Sequence, residues 1–383
     1  MKTTNLLISL FSLLFLLNAC SREPAEEQAT AEVAGDSVQH DSFYPIGKGT
    51  NIAHWLSQSN RRGEERLAFF QQKDVNYLDS LGFDHLRIPI DEEQMWDETG
   101  NKEAEAFELL HNAINWSQEA GLKVIVDLHI LRSHHFNVDE RLLWTDSAAQ
   151  ERFFQCWRDL SSELQQYPND LVAYELMNEP VADDPEDWNQ LVAKAIEIIR
   201  ESEAERTIVV GSNRWQHADT FDELKVPEND ENIILSFHFY NPFLLTHYHA
   251  SWTNLRDYQG PVHYPGQAIT AEEMEELPEN MREIVAARNG VYNQDTLEYM
   301  MQEAIEVAGQ KGLNLYCGEW GAVAEAPQED RLQWYADMRA IFDRNNIADA
   351  NWNYKSNNFG IVNSDGTPNE VLIQVLVDTL EPM

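Results

Sequence analysis

The chain has 383 residues, with 66 acidic side chains against 27 basic ones, which gives a formal net charge of −39. Hydrophobic residues make up 43% of it and aromatic residues 10%, including 11 Trp, so the sequence has enough apolar material for a large core and is not intrinsically disordered. The negative charge argues against nucleic-acid partners and against binding to anionic lipid through a basic patch, because both require a cationic surface. Many aromatic residues on an acidic chain suit an uncharged, flat-faced ligand such as a sugar, although solubility alone also explains the charge.

The first twenty residues contain a charged residue, an apolar run and a possible cleavage motif, in the order typical of an export signal. Lys2 precedes a twelve-residue apolar run, Leu6–Leu17, which suits a signal peptide and is too short to span a bilayer. The Leu-Asn-Ala-Cys sequence that ends at Cys20 resembles the lipobox of bacterial lipoproteins, and an ordinary secretory signal is the alternative. This resemblance implies a signal peptide over residues 1–19, a lipid on Cys20, and an exported lipoprotein at the outer membrane, at the cell surface or in the periplasm.

Residues 20–42 are rich in Glu, Ala, Gln and Ser and have few large apolar side chains, which is typical of a flexible acidic tether. We expect membrane attachment only through the lipid anchor, since no other segment approaches membrane-spanning length. Residues 43–383 then form a single catalytic domain, expected to be monomeric. Cys156 and Cys317 remain, and we expect them to be buried free thiols that do not pair with each other.

From residue 44 onward, short β-branched runs alternate with longer amphipathic stretches without any break that resembles a linker. The predicted strands, in chain order, are Gly49–Ala53, His85–Pro89, Lys123–His129, Val172–Met177, Thr207–Gly211, Ile233–Tyr240, Asn314–Cys317 and Ala348–Asn353. The predicted helices are Gln72–Leu81, Glu103–Ala120, Ser147–Gln166, Trp188–Ser202, a short one near Ala218–Leu224, Thr296–Lys311, Gln328–Asn345 and Glu370–Leu380. Glycines 82, 121 and 312 are predicted to end helices, because glycine readily takes the left-handed conformation that turns the chain back.

Eight strands alternating with eight helices predict an α/β fold, a single (β/α)8 TIM barrel. An open doubly wound sheet is the alternative, but no glycine-rich phosphate loop follows the first strand. The connection from Asn241 to Gln294 is far longer than the usual loop of two to six residues. We expect this insertion to form a wall or lid of a functional site.

Polar side chains follow several of the predicted strands at their carboxyl ends, which in a barrel form the rim of the active site. A single polar residue there is usually a solvated turn or a helix cap, so the argument depends on the whole set. Six strands contribute such residues, namely Arg87, Asp127 with His129, Glu175 with Asn178 and Glu179, His238 with Tyr240, Glu319, and Trp352 with its neighbours Asn351 and Asn353. Because all of these residues are expected at the same rim of the barrel, they predict a catalytic site there.

The same residues, in the same order, resemble glycoside hydrolase family 5. The shared motifs are an Arg on strand 2, Asn-Glu-Pro at Asn178, His-x-Tyr at His238, Glu319 after strand 7 and Trp352 on strand 8. The resemblance covers about residues 47–380. It implies a barrel of the clan that hydrolyses glycosidic bonds with retention and carries its catalytic carboxylates on strands 4 and 7.

The resemblance also implies roles for these residues. Glu319 corresponds to the nucleophile and Glu179 to the general acid/base, a pair that needs roughly 5 to 5.5 Å between carboxyls. Arg87 and Tyr240 correspond to residues that keep the nucleophile ionised. The remaining positions are expected to support the acid or bind the sugar: His129, Asn178, His238 and Trp352. Structural roles in the core are the alternative for each.

Weaker candidates for further sugar subsites are Trp55, Trp144 and Trp215, which follow strands 1, 3 and 5. Aromatic residues of the long insertion could also stack on sugars, although packing within the insertion explains them equally well. The segment Leu131–His135 is bulkier than the turn common in endoglucanases and could close one end of a cleft.

The resulting prediction is an endo-acting β-1,4-glucanase of the cellulase type that works on a polysaccharide or oligosaccharide by double displacement, with no cofactor and no metal. An exo-acting β-glucosidase or exo-glucanase and a β-mannanase are the alternatives within the family. Two other classes stay open: a non-catalytic surface glycan-binding protein, and a metal-dependent hydrolase that uses His134, His135, His247 and His249. No strand ends in the paired histidines that a metal site of that kind requires.

Overall fold

The computed structural model of the chain describes residues 44–139, 141–355, 358–363 and 365–377. The predicted signal peptide, Cys20 and the predicted tether lie outside the described residues. Among the described residues, no helix combines the length and the apolar character needed to cross a membrane.

Eight parallel strands of the described chain close into a barrel, in which each strand pairs with its neighbours in sequence order and the last pairs with the first. The strands are β1 (Lys48–Asn51), β2 (His85–Asp91), β3 (Lys123–Ile130), β4 (Val172–Glu175), β5 (Ile208–Gly211), β6 (Ile233–Phe239), β7 (Asn314–Trp320) and β8 (Ala348–Asn351). The predicted (β/α)8 barrel is therefore confirmed. All eight predicted strands are present, with ends that differ by up to three residues.

Amphipathic helices cover the outside of the barrel and pack their apolar faces against the strands. The longer ones are Gln72–Ser80, Ala104–Ala120, Ser147–Leu164, Pro185–Arg200, Gln302–Lys311, Gln328–Asn345 and Glu370–Val377. The shorter ones are Glu64–Phe69, Glu92–Met95, Asn213–Gln216, Phe243–Thr246, Ala271–Glu276, Glu279–Ala286 and Gln294–Met300, with 3₁₀ turns at Leu142–Trp144 and Ala218–Thr220. The predicted helix Thr296–Lys311 is thus interrupted at Met301, and the predicted helix near Ala218–Leu224 is a single 3₁₀ turn.

Two of the helix ends show why glycine is required. Gly121 and Gly312 follow their helices with φ values of 83° and 66°, a left-handed conformation that a residue with a Cβ adopts only at a cost. Both predicted helix ends are confirmed. Cys156 and Cys317 are buried free thiols, also as predicted.

The inside of the barrel has an apolar lower layer and a charged upper layer. The lower layer fills the amino-terminal end with Tyr44, which precedes β1, and with inward side chains from β3 to β8: Ile125, Ala173, Val209, Ile234, Tyr316 and Ala350. Since side chains alternate between the two faces of a strand, Asp127 and His129 lie on the same inner face as Ile125. The polar side chains of the upper layer therefore collect at the carboxyl end of the barrel.

The insertion after β6 is partly ordered by its own small sheet, in which Gly266–Gln267 pairs with Val291–Tyr292 in antiparallel fashion. Its aromatic side chains pack against residues at the carboxyl end of the barrel. Trp252 packs against Phe359, which follows β8, and the His247 ring packs against both Tyr240 and Phe359. The predicted wall is therefore present, and it extends from β6 across to the segment after β8.

Candidate active site

Arg87 on β2 lies at the centre of the barrel mouth and is completely buried. Its guanidinium donates to Glu175 at 2.6 and 3.0 Å and to Glu319 at 2.8 Å, and it lies 3.0 Å from a carboxylate oxygen of Asp127. Burial opposes the charge of Arg87, but these three carboxylates outweigh that effect and raise its pKa well above the usual value. A buried cation is tolerated only when it is paired in this way.

Three amide side chains complete the contacts around this arginine. Arg87 donates at 2.8 Å to the Oδ1 atoms of both Asn51 and Asn178. Gln216 donates to Glu175 at 3.0 Å and also bonds the backbone oxygen of Asn178. The Nδ2 group of Asn178 is buried and has no hydrogen-bond partner among the described residues, so it is available to donate to a ligand.

Sequence reasoning named Asp127 and Glu175 among the polar residues at the strand ends but gave them no role, and it did not single out Asn51 or Gln216. A signal was present for two of them, because Asp127 and Glu175 interrupt apolar strand sequences at positions that face the inside of the barrel. Gln216 gave no such signal. It belongs to three consecutive residues with φ between 52° and 63°, Arg214 to Gln216, a left-handed run that costs backbone energy and is found mostly at functional sites.

Glu179 follows β4, and Glu319 lies on β7. One carboxyl oxygen of each lies within 4.8 Å of the other, together with a ring nitrogen of His238. That separation suits a retaining pair and is far below the 6.5–9.5 Å typical of inverting enzymes. Tyr240 donates to Glu319 at 2.9 Å, so both Glu319 oxygens accept hydrogen bonds, and Nδ1 of His238 lies 2.9 Å from Glu179.

The two carboxyls have different electrostatic surroundings. Burial raises the pKa of Glu179 well above its ordinary value, and repulsion from Glu319 raises it further. Burial also raises the pKa of Glu319, but the Arg87 cation and the Tyr240 hydrogen bond oppose that increase. Of the two, Glu179 therefore holds its proton to higher pH, and Glu319 is the one that ionises first.

A bulge in β7 brings Glu319 into this position. The pairing of β6 with β7 slips by one residue, so that Phe237 lies opposite Cys317 but His238 lies opposite Glu319. Gly318 occupies the extra position, and a Cβ atom there would lie 3.0 Å from the hydroxyl of Ser236. A glycine therefore permits the close approach of the two strands beside the carboxyl pair.

His129 and Trp352 form the floor of the site. Their rings stack at 5.6 Å with an angle of 7° between planes, and Nδ1 of His129 lies 2.7 Å from Asp127. Burial lowers the pKa of His129 to about 3, so the ring is neutral. Burial and the Arg87 charge also lower the pKa of His238 well below its usual value.

A cavity of about 1760 Å³ extends over the carboxyl pair. One end is lined by Ser59 and Asn60, which follow β1, and by Asp91 at the end of β2. The other end is lined by Tyr299 and Glu303, on the two helices that connect the insertion after β6 to β7. In an eight-stranded ring, strands 1 and 2 lie opposite strands 5 and 6. The cavity therefore extends to both sides of Glu179 and Glu319.

The three tryptophans named as possible subsites have different positions. Trp215 is 38% exposed, lines the cavity and donates from Nε1 to the backbone oxygen of Phe136 at 3.0 Å. Trp55 is fully buried, bonds the backbone of Arg66 and does not line the cavity, so the subsite prediction fails there. Trp144 packs edge-on against His134 away from the cavity lining, and the prediction fails there also. Both rings follow their strands but turn into the surrounding core.

The described histidines give no support to the alternative of a separate metal site. The group with metal-ligand spacing is the carboxyl pair with His238, in which both Glu319 oxygens already accept hydrogen bonds from Arg87 and Tyr240. His134 lies outside that group and donates to the backbone oxygen of Glu179 at 2.9 Å. Its role is to hold the loop that carries Glu179.

Comparison with known proteins agrees with this geometry. The sequence model described as "Cellulase (glycosyl hydrolase family 5)" matches residues 49–358. The chain belongs to glycoside hydrolase family 5. It is therefore a glycoside hydrolase, and the family resemblance of the strand-end motifs is confirmed.

Two proteins with similar sequences are named as enzymes that degrade glucans. Endoglucanase C of Acetivibrio thermocellus is 31% identical over 336 residues, which cover 86% of this chain and 97% of that protein. Cellodextrinase A of Ruminococcus flavefaciens is 28% identical and covers 79% of this chain and 84% of that protein. The Thermotoga maritima Cel5A structure in complex with mannotriose superposes with a TM-score of 0.70 at 23% identity, covering 86% of this chain and 97% of that one, which shows the shared fold.

Proposed function

We propose that the enzyme is an endo-acting β-1,4-glucanase, with Glu319 as the nucleophile and Glu179 as the general acid/base. The observation that supports this proposal most directly is the carboxyl pair within 4.8 Å, with Arg87 and Tyr240 on one member and His238 on the other. The endoglucanase and cellodextrinase names of its relatives indicate the same class of substrate.

In the first step, the ionised Glu319 carboxylate attacks the anomeric carbon and forms a covalent glycosyl ester. Glu179 donates its proton to the departing glycosidic oxygen, so the shortened chain leaves as an alcohol. The free Nδ2 of Asn178 suits a sugar hydroxyl beside the reacting carbon, and the Trp352 ring offers an apolar face to the same sugar.

In the second step, Glu179 removes a proton from water while the water oxygen attacks the anomeric carbon and releases Glu319. The change of role follows from electrostatics. Once Glu319 is an ester it carries no charge, so the repulsion that raises the pKa of Glu179 is removed. Glu179 then ionises more readily and can act as the base.

The shape of the cavity favours attack within a chain. Because the cavity extends to both sides of the carboxyl pair, sugars can bind on both sides of the bond that is cleaved. The bulky segment after β3 forms part of one wall: Arg132 ion-pairs with Glu92 at 3.0 Å, and Trp215 bonds Phe136. The lining residues also include Tyr299 and Glu303, which follow the insertion.

A substrate panel tests the proposal. The soluble form from Ser42 onward is incubated with cellulose derivatives, barley-type β-glucan, mannan, xyloglucan, xylan and laminarin, and product sizes are followed over time. Early mixed oligosaccharides from β-1,4-glucans support the proposal. A single small product from chain ends shows exo action, preferential attack on mannan shows a mannanase, and no release from any glycan contradicts hydrolysis of these polymers.

The charge of the cavity predicts a preference for uncharged glucans. Burial raises the pKa of the lining residue Asp91 to about 7. Apart from Asp91 and the carboxyl pair, the lining carries four acidic residues against two arginines: Glu93, Asp219, Glu303 and Glu306 against Arg132 and Arg288. We expect carboxymethylcellulose to be cleaved on the order of tenfold more slowly at low salt than in about 0.15 M salt, because salt screens the repulsion between its carboxylates and the cavity. Hydroxyethylcellulose is the matched neutral control and should show little salt dependence; equal salt responses of the two polymers would contradict the prediction.

We also propose that the enzyme is exported as a lipoprotein and displays its catalytic domain from a membrane. The support is the order of charged, apolar and Cys-containing segments in residues 1–20. Cells that express the full chain are expected to incorporate labelled palmitate into the protein and to retain it in the membrane fraction. Cys20→Ala should lose the label and the membrane retention, whereas Ser21→Ala should keep both; a labelled Cys20→Ala protein would overturn the proposal.

A further inference from the structure

Asp127 and His129 lie two residues apart on the inner face of β3, and both are buried. Oδ2 of Asp127 is 2.7 Å from Nδ1 of His129 and 3.0 Å from a terminal guanidinium nitrogen of Arg87. An ionised carboxylate can only accept hydrogen bonds. When Asp127 is ionised, the contact therefore requires the His129 proton to be on Nδ1, which leaves Nε2 with a lone pair.

The second ring nitrogen of His129 points to a ligand. Nε2 is buried and has no hydrogen-bond partner among the described residues, although His129 lines the cavity. The ring is held by its stacking on Trp352 and by the edge-on ring of Phe136 at 5.7 Å. The negative charge of Glu319 opposes the fall in the His129 pKa, so the ring lies within electrostatic range of the nucleophile.

These contacts define what His129 can recognise. A neutral imidazole whose Nδ1 already donates has one remaining function, which is to accept a hydrogen bond at Nε2. The group that it accepts from must be a donor. On an unsubstituted glucan, the donors within reach of a ring that stacks on Trp352 are sugar hydroxyls.

We propose that Asp127 is a positioning residue that fixes the His129 tautomer, so that Nε2 accepts a hydrogen bond from a hydroxyl of the sugar attacked by Glu319. The inference rests on the proposed hydrolytic function. It adds a requirement that the sugar present a free hydroxyl at that position, since an ether or a fluorine cannot donate. It also assigns a role to a carboxylate that takes no part in the proton transfers themselves.

The tautomer itself can be measured in the intact wild-type domain. In a protein labelled with nitrogen-15 histidine, the protonated and bare ring nitrogens have distinct chemical shifts, and His129→Gln identifies the His129 signals by their loss. The spectrum is recorded at about pH 8, because burial raises the Asp127 pKa to about 7 and the carboxyl must be ionised. We expect a proton on Nδ1 and a bare Nε2. A proton on Nε2 would overturn the inference whether or not any variant folds.

Two variants separate the hydrogen bond from the charge. Asp127→Asn keeps an oxygen toward His129 and Arg87 but removes the charge, whereas Asp127→Ala removes both. We expect Asp127→Ala to lose the Nδ1 tautomer and about 10- to 100-fold in kcat/KM, by analogy with the loss of carboxylates that orient metal-binding histidines. Asp127→Asn should keep the tautomer and lose much less activity.

Equal losses in the two variants would show that the charge of Asp127 acts on Arg87, and would contradict the proposal. Unchanged activity in Asp127→Ala at an unchanged melting temperature would contradict it as well. If the wild type hydrolyses none of the glycans, the proposed function fails, while the tautomer measurement still decides the role of Asp127.

Discussion

Glu319→Ala is expected to lose about 10⁴- to 10⁶-fold in kcat on every glucan and aryl glucoside substrate, because no other side chain can form the covalent ester. The barrel should remain folded. Arg87 keeps Asp127 and Glu175 as ion-pair partners after the substitution, so no buried cation is left without a counter-charge. Initial rates and thermal unfolding of the same preparations measure both effects.

Rescue by azide distinguishes loss of the nucleophile from general damage. The space left by Glu319→Ala can admit azide, which attacks an activated aryl glycoside directly and gives a glycosyl azide of inverted configuration. Glu325→Ala is the matched control, since Glu325 is exposed, lies six residues further along and is not part of the cavity lining. Near-normal hydrolysis by Glu319→Ala, or an azide product of retained configuration, would overturn the assignment.

Glu179→Ala is expected to slow the hydrolysis of cello-oligosaccharides by about 10²- to 10⁴-fold, the usual contribution of a positioned acid. Aryl glycosides with a strongly activated leaving group should lose much less in the first step, because such a group departs without a proton. The second step still lacks its base, so the glycosyl ester should accumulate and produce a burst of phenol. Stopped-flow absorbance and intact-protein mass spectrometry detect the burst and the ester.

The pH profile gives an independent test of Glu179. In the wild type, activity should fall as pH rises through the raised pKa of Glu179, because the acid is then deprotonated. It should also fall at low pH, when Glu319 takes up a proton. Glu179→Ala should lose the alkaline fall on activated substrates and keep the acidic one. Asp183→Ala, at an exposed position four residues away, should keep both; equal losses on activated and unactivated substrates would argue against the acid/base role.

The position of each barrel strand was predictable because strands and helices differ in local pattern. A run such as Lys123–Ile130 is β-branched, short and bounded by a helix-ending glycine, and these are properties of adjacent residues. The register of neighbouring strands was not predictable. The register of β6 and β7 slips by one residue where Gly318 lies close to Ser236. These two residues are 82 positions apart in the chain.

The positions of three tryptophan rings were also not predictable from the sequence. Trp55, Trp144 and Trp215 all follow barrel strands, and nothing in their local sequence distinguishes a ring that packs inward from one that lines a cavity. Trp215 is held at the cavity by the left-handed backbone of residues 214–216 and by its bond to Phe136. Trp55 instead bonds the backbone of Arg66. These partners belong to other segments, so the outcome was decided by tertiary packing.

The sequence by itself determined the barrel and the rim on which the site lies, and its resemblance to glycoside hydrolase family 5 identified Glu179 and Glu319 as the carboxyls that meet there. Strand order and alternation are local properties, and in a closed parallel barrel they send every strand end to one edge. Only the tertiary structure decided which further groups surround those carboxyls. Asp127, Glu175 and Gln216 matter because one buried guanidinium, Arg87, and its neighbours need partners from several strands at once. Distances across the barrel set that arrangement, and no spacing along the chain encodes it.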